Sequence, residues 1–446
     1  MLILQPKLSM SFYFLLFVIG CALVLAAVAW RPGLVYEYPY FMGATFIAFI
    51  LPQLYALVAN EWGGIYLEMT TLMCLLSLIC CSAGYLPKSH PALLEKLNVP
   101  VNTVRFLHGG IVLVAVGYYF MWKMAALPET DESTGLMTGI GTIYLFFGGL
   151  VYPGFAICFY CALKDGRGLA WLAAIVAALV PVQAAVFYGR REPTVLFVLS
   201  LGMSLFFLKG KAAPRWLAVG TIVAAMFAIP ATGQYRQLAK EDPLEALKQI
   251  NFRERLAEYL DEDAISEVKN AAVYIAATEQ SGDYQWGVGY WNRIVFRFVP
   301  AQFLGEGFKN ALMIGGIERD PADFMEEHLG YRPSSGSTVT GLGDAFNQFG
   351  YFGCLFFAAV AYLFKNLWTA ANHPEGTIAQ ILYIQITTTA MRSLTHQTID
   401  FLPGFLYSAI FIGAVAFYAR ERDLMSADPG LARLRNARAT RDAPKV

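Results

Sequence analysis

The chain has 446 residues, of which 57% are hydrophobic and 15% charged, and its mean hydropathy is +0.48. Soluble globular proteins carry about 25% charged residues, so this composition excludes disorder, a disulfide scaffold and most soluble enzymes and points to a polytopic helical membrane protein. The 33 Lys and Arg residues balance the 33 Asp and Glu residues, and a net charge of zero argues against a nucleic-acid partner.

A bilayer span needs about 20 mostly apolar residues, and eleven stretches qualify. The predicted class is therefore an all-α polytopic integral membrane protein with about 11 transmembrane helices (range 10–14) and one long extracytoplasmic loop containing amphipathic helices. An N-terminal bundle of about eight helices occupies 1–232, with spans at 11–30, 40–58, 64–86, 105–127, 138–162, 168–188, 193–209 and 215–232. The run from Phe12 to Trp30 is long for a signal peptide, has no clear small-residue cleavage site and reads as a retained helix. Cys158 and Cys161 have CxxC spacing, but they lie mid-span with no second pair and read as packing residues. The segment 233–348 is the long loop. Within it, Pro243 to Lys269 is amphipathic, through Leu244, Leu247, Ile250, Leu256, Leu260 and Ile265. The aromatic-rich 286–316 suggests a segment at the membrane surface. About three C-terminal spans follow at 349–419 (349–371, 377–395 and 401–419). The second is the weakest, because it holds Gln380, Gln385, Thr387, Thr388 and Thr389. A basic tail fills 420–446.

Short basic loops face the cytoplasm. Lys164–Arg167, Lys209–Arg215, the segment 87–105 and the tail, with seven basic against four acidic residues, all fall on one side when the spans alternate. The turn Pro128–Glu132 and the segment 233–348, with 11 Lys and Arg against 18 Asp and Glu, then lie outside.

Arginines outside the membrane run against this bias and mark candidate sites. Arg190 and Arg191, followed by Glu192 and Pro193, form a short turn on the outer side. The guanidinium fork suits phosphate and carboxylate, and a helix N-terminus adds positive potential. The structural alternative is snorkelling to lipid head groups. A second constellation runs from Arg332 through the small polar residues Ser334, Ser335 and Gly336 to Gly343, and then into Asp344 and Asn347. The two polar residues share a face if a helix begins near Gly343, although Asp344 equally suits a helix cap. The third comprises Arg392, His396 and Asp400, one face of a helix if it continues. His396 is a candidate acid or base. No metal-binding, phosphate-loop or dinucleotide motif occurs.

The run Gly343-Asp344-Ala345-Phe346-Asn347-Gln348-Phe349-Gly350-Tyr351-Phe352-Gly353, late in a many-span chain after one long outer loop, resembles a signature of bacterial oligosaccharide repeat unit polymerases, the O-antigen and exopolysaccharide polymerases of the Wzy type. Their usual Glu is Asp344 here, and Phe346 replaces a Tyr. The resemblance covers about 20 residues plus the layout of the chain. It implies a metal-independent, inverting, GT-C-like glycosyltransferase of the bacterial inner membrane, with its active site facing the periplasm and no cofactor. Donor and acceptor would be undecaprenyl-diphosphate-linked oligosaccharides, in a membrane lipid setting, with a chain-length regulator and a repeat-unit flippase as further partners. Arg190 and Arg191 would hold the diphosphate, with Arg293, Arg297 or Arg332 as third cation. His396 and Asp344, with Glu192 third, are the candidate bases. Ser335, Asn347, Arg392 and Asp400 would complete substrate binding. An O-antigen ligase-like transferase and a transporter or flippase are the alternative classes.

Overall fold

Helices stand at each of the eleven predicted span positions in the computed structural model, which describes residues 7–60, 64–127, 139–239, 243–251, 254, 267–315, 319–334 and 336–421. Among the described residues the secondary structure is helical, apart from one isolated antiparallel bridge between Val101 and Arg420. Nine helices there have the length and apolar character to cross a membrane, from Phe12–Trp30 to Thr398–Ala419. Their outer faces carry exposed aliphatic side chains. Leu169, Leu172, Ile175 and Leu179 make such a stripe along Gly168–Val186, a face that water would penalise and lipid tails would solvate.

The helix Thr377–Thr395 is less apolar than these nine, and most of it is buried. It packs against helices from both halves of the chain, and an unbroken run from Ala379 to Thr388 is buried. Several of its polar groups find partners inside. Tyr383 Oη donates to the Tyr36 carbonyl at 2.8 Å, Gln380 Nε2 to the Ala371 carbonyl at 2.7 Å, and Thr377 Oγ1 lies 2.7 Å from Tyr160 Oη. Low hydropathy here therefore marks a central position. Thr and Gln facing lipid would leave hydrogen-bonding groups unmet, so the helix is surrounded by other helices that meet them.

The stretch read as loop up to 348 is in part built into the bundle. A helix spans Thr340–Phe349, beginning nine residues before the predicted span at 349, and it is buried from Thr340 to Gln348. It packs against Glu267–Ser281, itself buried at Val268, Asn270, Ala271, Ala272, Tyr274, Ile275 and Ala277. Small residues permit this. A Cβ on Gly341 would overlap the Ser393 carbonyl oxygen of the central polar helix. Gly350, at φ +59°, breaks the helix before the 3-10 turn Gly350–Cys354 and the long helix Leu355–Ala371. Of the predicted amphipathic helix 243–269, the helix Pro243–Gln249 is seen. Leu256, Leu260 and Ile265 lie outside the described residues, as do Pro128–Glu132 and the tail beyond Glu421.

Candidate functional site

A cavity of about 320 Å³ opens where several helices end together. Its lining comes from the junction of Ile140–Gly148 with Val151–Asp165, the start of Arg191–Lys209, the second half of Thr377–Thr395, the start of Phe401–Ala419 and the aromatic helix Val288–Phe298. The charged lining is Glu192, Arg293, Arg297, Arg392 and Asp400. These residues span more than two hundred positions of the chain, and five of the sequence-predicted site residues meet here.

Asp400 is the hub. Arg293 Nε donates to Asp400 Oδ1 at 2.7 Å, and Arg392 Nη2 lies 3.4 Å from Asp400 Oδ2. Arg392 Nη1 stands 3.5 Å from Glu192 Oε2, while its buried Nε has no hydrogen-bond partner. The Arg297 guanidinium sits 5.6 Å from the centre of the Phe146 ring. Burial, then the Arg392 charge, lowers the pKa of Arg297. Around the charges stand Tyr152, Phe296 and Tyr407, with Gln385, Thr388, Thr389 and Ser408 deeper in.

Arg190 and Arg191 lie at the N-terminus of Arg191–Lys209, beside Glu192, with both side chains exposed and no ion pair among the described residues. Their turn is fixed from the next helix. Tyr235 Oη donates to the Val186 carbonyl at 2.6 Å and Arg236 Nε to that of Gly189 at 3.2 Å. Desolvation and then the charges of Arg191 and Arg190 lower the pKa of Arg236. Arg236 is thus a sixth cation that the motif reading missed. The signal was present, since it is another arginine just past a predicted span.

The predicted continuous face of Arg392, His396 and Asp400 does not form. The helix ends at Thr395, and His396 adopts φ −121° and ψ −89°. Gln397 is extended, and a 3-10 turn covers Thr398–Asp400. The fold-back still brings Asp400 to Arg392, but His396 turns aside, its Nδ1 2.9 Å from Thr395 Oγ1. Desolvation by the surrounding chain, with the charge of Arg392, pushes its pKa down to about 4, so it is neutral at pH 7. The exposure of His396 to water limits that shift.

Asp344 and Asn347 share a short helix but point to different partners. Asp344 is an interior residue of Thr340–Phe349, so it does not cap it. Its Oδ2 accepts from Thr398 Oγ1 and from the Ile399 amide at 3.1 Å. Asp344 therefore holds the turn that carries Asp400, and it faces a neighbouring cavity. Asn347 is fully buried. It accepts from Tyr274 Oη at 2.9 Å and donates to Thr278 Oγ1 at 2.9 Å, tying two helices together. Arg332 is not brought to the cluster, because it pairs with Glu326 and with Asp323 at 3.3 Å. Ser335 lies outside the described residues.

Six guanidinium groups, Arg190, Arg191, Arg236, Arg293, Arg297 and Arg392, thus gather with two carboxylates, Glu192 and Asp400. The excess positive charge sits beside an aromatic and hydroxyl-lined hollow at one end of an apolar bundle. Such a site can bind a multiply charged anion with an apolar or sugar-bearing body and stabilise charge developing on it. Comparison of the chain with family models, with curated proteins and with solved structures returns no match.

Proposed function

We propose that this protein is an inner-membrane glycosyltransferase that polymerises undecaprenyl-diphosphate-linked oligosaccharide repeat units on the periplasmic side. In this reading the chain crosses the membrane eleven times, with the central polar helix and the stretch 215–232 of helix Arg215–Leu238 among the spans, and the segment 233–348 lies outside. The observation that carries the reading is the arginine cluster at the cavity mouth. Under the alternating topology, Arg190, Arg191, Arg236, Arg293, Arg297 and Arg392 all fall on the outer side, against the positive-inside preference. The anion expected at a membrane surface is a lipid phosphate or diphosphate.

The reaction would run as follows. A hydroxyl of the acceptor glycan attacks the anomeric carbon of the donor and a new C–O bond forms. The bond from that carbon to the diphosphate oxygen breaks, and its electron pair leaves with the diphosphate. The hydroxyl proton passes to a base, for which His396, neutral at pH 7 but only weakly basic at a pKa of about 4, and Asp344 are the candidates. Arg190 and Arg191 are free to meet the leaving diphosphate, while Arg293 and Arg392 are held in place by Asp400. Fixed cations stabilise the leaving charge without reorganising during the step. In-line attack inverts the anomeric centre.

The test is glycan chain length on gels from cells carrying Arg190→Ala, Arg191→Ala or His396→Ala at normal protein levels. The reading expects unextended or short glycans. Full-length polymer from both arginine variants would overturn the leaving-group assignment. In a deletion strain, a polymerase leaves lipid carrying single repeats, whereas a ligase leaves unattached finished polymer.

A further inference from the structure

A second cavity, of about 270 Å³, lies on the other side of the Gln397–Asp400 turn. The two hollows share that turn as a wall, with Gln397 and Ile399 lining the second and Asp400 the first. Helix Val288–Phe298 contributes to both, through Asn292 on one side and Arg293 on the other. Their chemistry differs. The first is rich in arginine. The second is lined by two carboxylates, Asp283 and Asp344, against one cation, Arg319, with Tyr274, Gln285 and Asn292 as further polar groups. That balance repels a diphosphate and suits a neutral ligand with many hydroxyls.

The polar groups are held rigidly. Asn292 donates to the Ile314 carbonyl and accepts from the Ile314 amide, each at 2.9 Å. Arg319 Nη2 donates to Asp283 Oδ2 at 2.7 Å while its guanidinium lies 3.8 Å from the centre of the Phe324 ring. The Asn292 amide is spent on the Ile314 backbone, so the groups left to meet sugar hydroxyls are the second carboxylate oxygen of Asp283 and the remaining guanidinium nitrogens of Arg319, planar groups whose paired atoms suit adjacent hydroxyls.

The lip of the cavity is aromatic. Tyr284 lines it, and the Trp286 ring stands 5.7 Å from the Tyr284 ring. Trp286 has φ +49°, a conformation that non-glycine residues rarely adopt. The Gln285 and Trp286 amides donate to the Asn347 and Gln348 carbonyls, both at 2.9 Å, which holds it there. This backbone leaves Trp286 70% exposed. A strained backbone that presents a large exposed ring beside a polar hollow points to a role for that ring. The electron-rich face of an aromatic ring attracts the polarised C–H groups on one face of a pyranose.

We infer that the cavity walled by Tyr284, Arg319, Asn292 and Asp344 is a carbohydrate-binding subsite, separate from the arginine cluster, that holds one glycan across the Gln397–Asp400 turn from the anion. Glycan binding rests on this lining alone. That the bound glycan is a partner in group transfer rests on the proposed polymerase reading.

The experiment is saturation-transfer NMR on the full-length protein in nanodiscs. The probes are chitotetraose, maltotetraose and oligosaccharides hydrolysed from the host cell's envelope polysaccharide. At least one is expected to receive saturation. Tyr284→Ala should weaken its binding by about tenfold or more, and Val288→Trp, which fills the hollow while sparing the Arg319 contacts, should abolish it. Leu172→Ala, on the exposed apolar stripe outside both cavities, should leave it unchanged. No saturation of any probe by the wild-type protein would overturn the inference, and so would binding that survives both Tyr284→Ala and Val288→Trp. Glycan binding together with normal polymer in the Arg190→Ala and Arg191→Ala strains would support the subsite and sink the leaving-group assignment instead.

Discussion

Arg293 Nε donates to Asp400 Oδ1 at 2.7 Å, which joins the aromatic helix of the long late segment to the turn before the last helix. Asp400 holds Arg392 with its other oxygen, so one carboxylate sets the spacing of two of the six clustered guanidinium groups. At 24% and 12% exposure the Arg293–Asp400 pair is largely withdrawn from water. Removing the carboxylate leaves two cations facing each other. Asp400→Asn is expected to destabilise the protein by about 1–3 kcal/mol, read as thermal unfolding in detergent. A double-mutant cycle with Arg293→Gln should show coupling of about 1 kcal/mol or more. Zero coupling would mean that the pair is incidental.

Arg392 reaches two carboxylates with two different nitrogens, Nη1 towards Glu192 and Nη2 towards Asp400. A lysine ammonium is a single point and cannot span both. Under the proposed polymerase reading, Arg392→Lys is therefore expected to lose most of the polymerising activity despite keeping its charge, by about tenfold or more. Glycan length distributions over time measure this, and wild-type rates in Arg392→Lys would show that charge alone suffices.

Asn347 was a candidate substrate contact by sequence, yet its amide is spent on Tyr274 and Thr278. Asn347→Ala should strand buried polar groups on the facing helix and cost about 1–3 kcal/mol. Replacing both partners, as in Tyr274→Phe with Asn347→Leu, should cost less than the sum of the single changes. Equal additive losses in unfolding experiments would argue against this role.

His396 supplies a pH dependence. Its pKa is about 4 in the folded protein against 6.5 for the free side chain. The unfolded chain thus binds the proton more readily between those values. Its stabilising contribution is complete above about pH 6.5, declines as the pH falls through that window and is gone below about pH 4. His396→Gln should flatten the stability profile between pH 4 and 6.5. NMR titration of the ring checks the premise directly, and a midpoint near 6.5 would remove it.

The sequence by itself determined the helical class, where the apolar helices lie and which arginines stand beside the ends of those helices. Each depends on local quantities, namely runs of apolar residues and the bias of charge between loops. Arg190 and Arg191 were visible for that reason, and Arg236 obeys the same rule. Tertiary structure decided the rest. Thr377–Thr395 looked like the weakest span because hydropathy scores a helix against lipid, whereas this helix is surrounded by protein that meets its polar groups. Arg392 and Asp400 meet because the chain folds back after Thr395, so the helical spacing that suggested them was the wrong geometry for the right contact. The reach of Asp344 to the Ile399 amide, and the turn that divides two cavities of opposite charge character, arise from segments more than fifty residues apart. Their proximity is set by packing, which leaves no periodic trace in a single sequence.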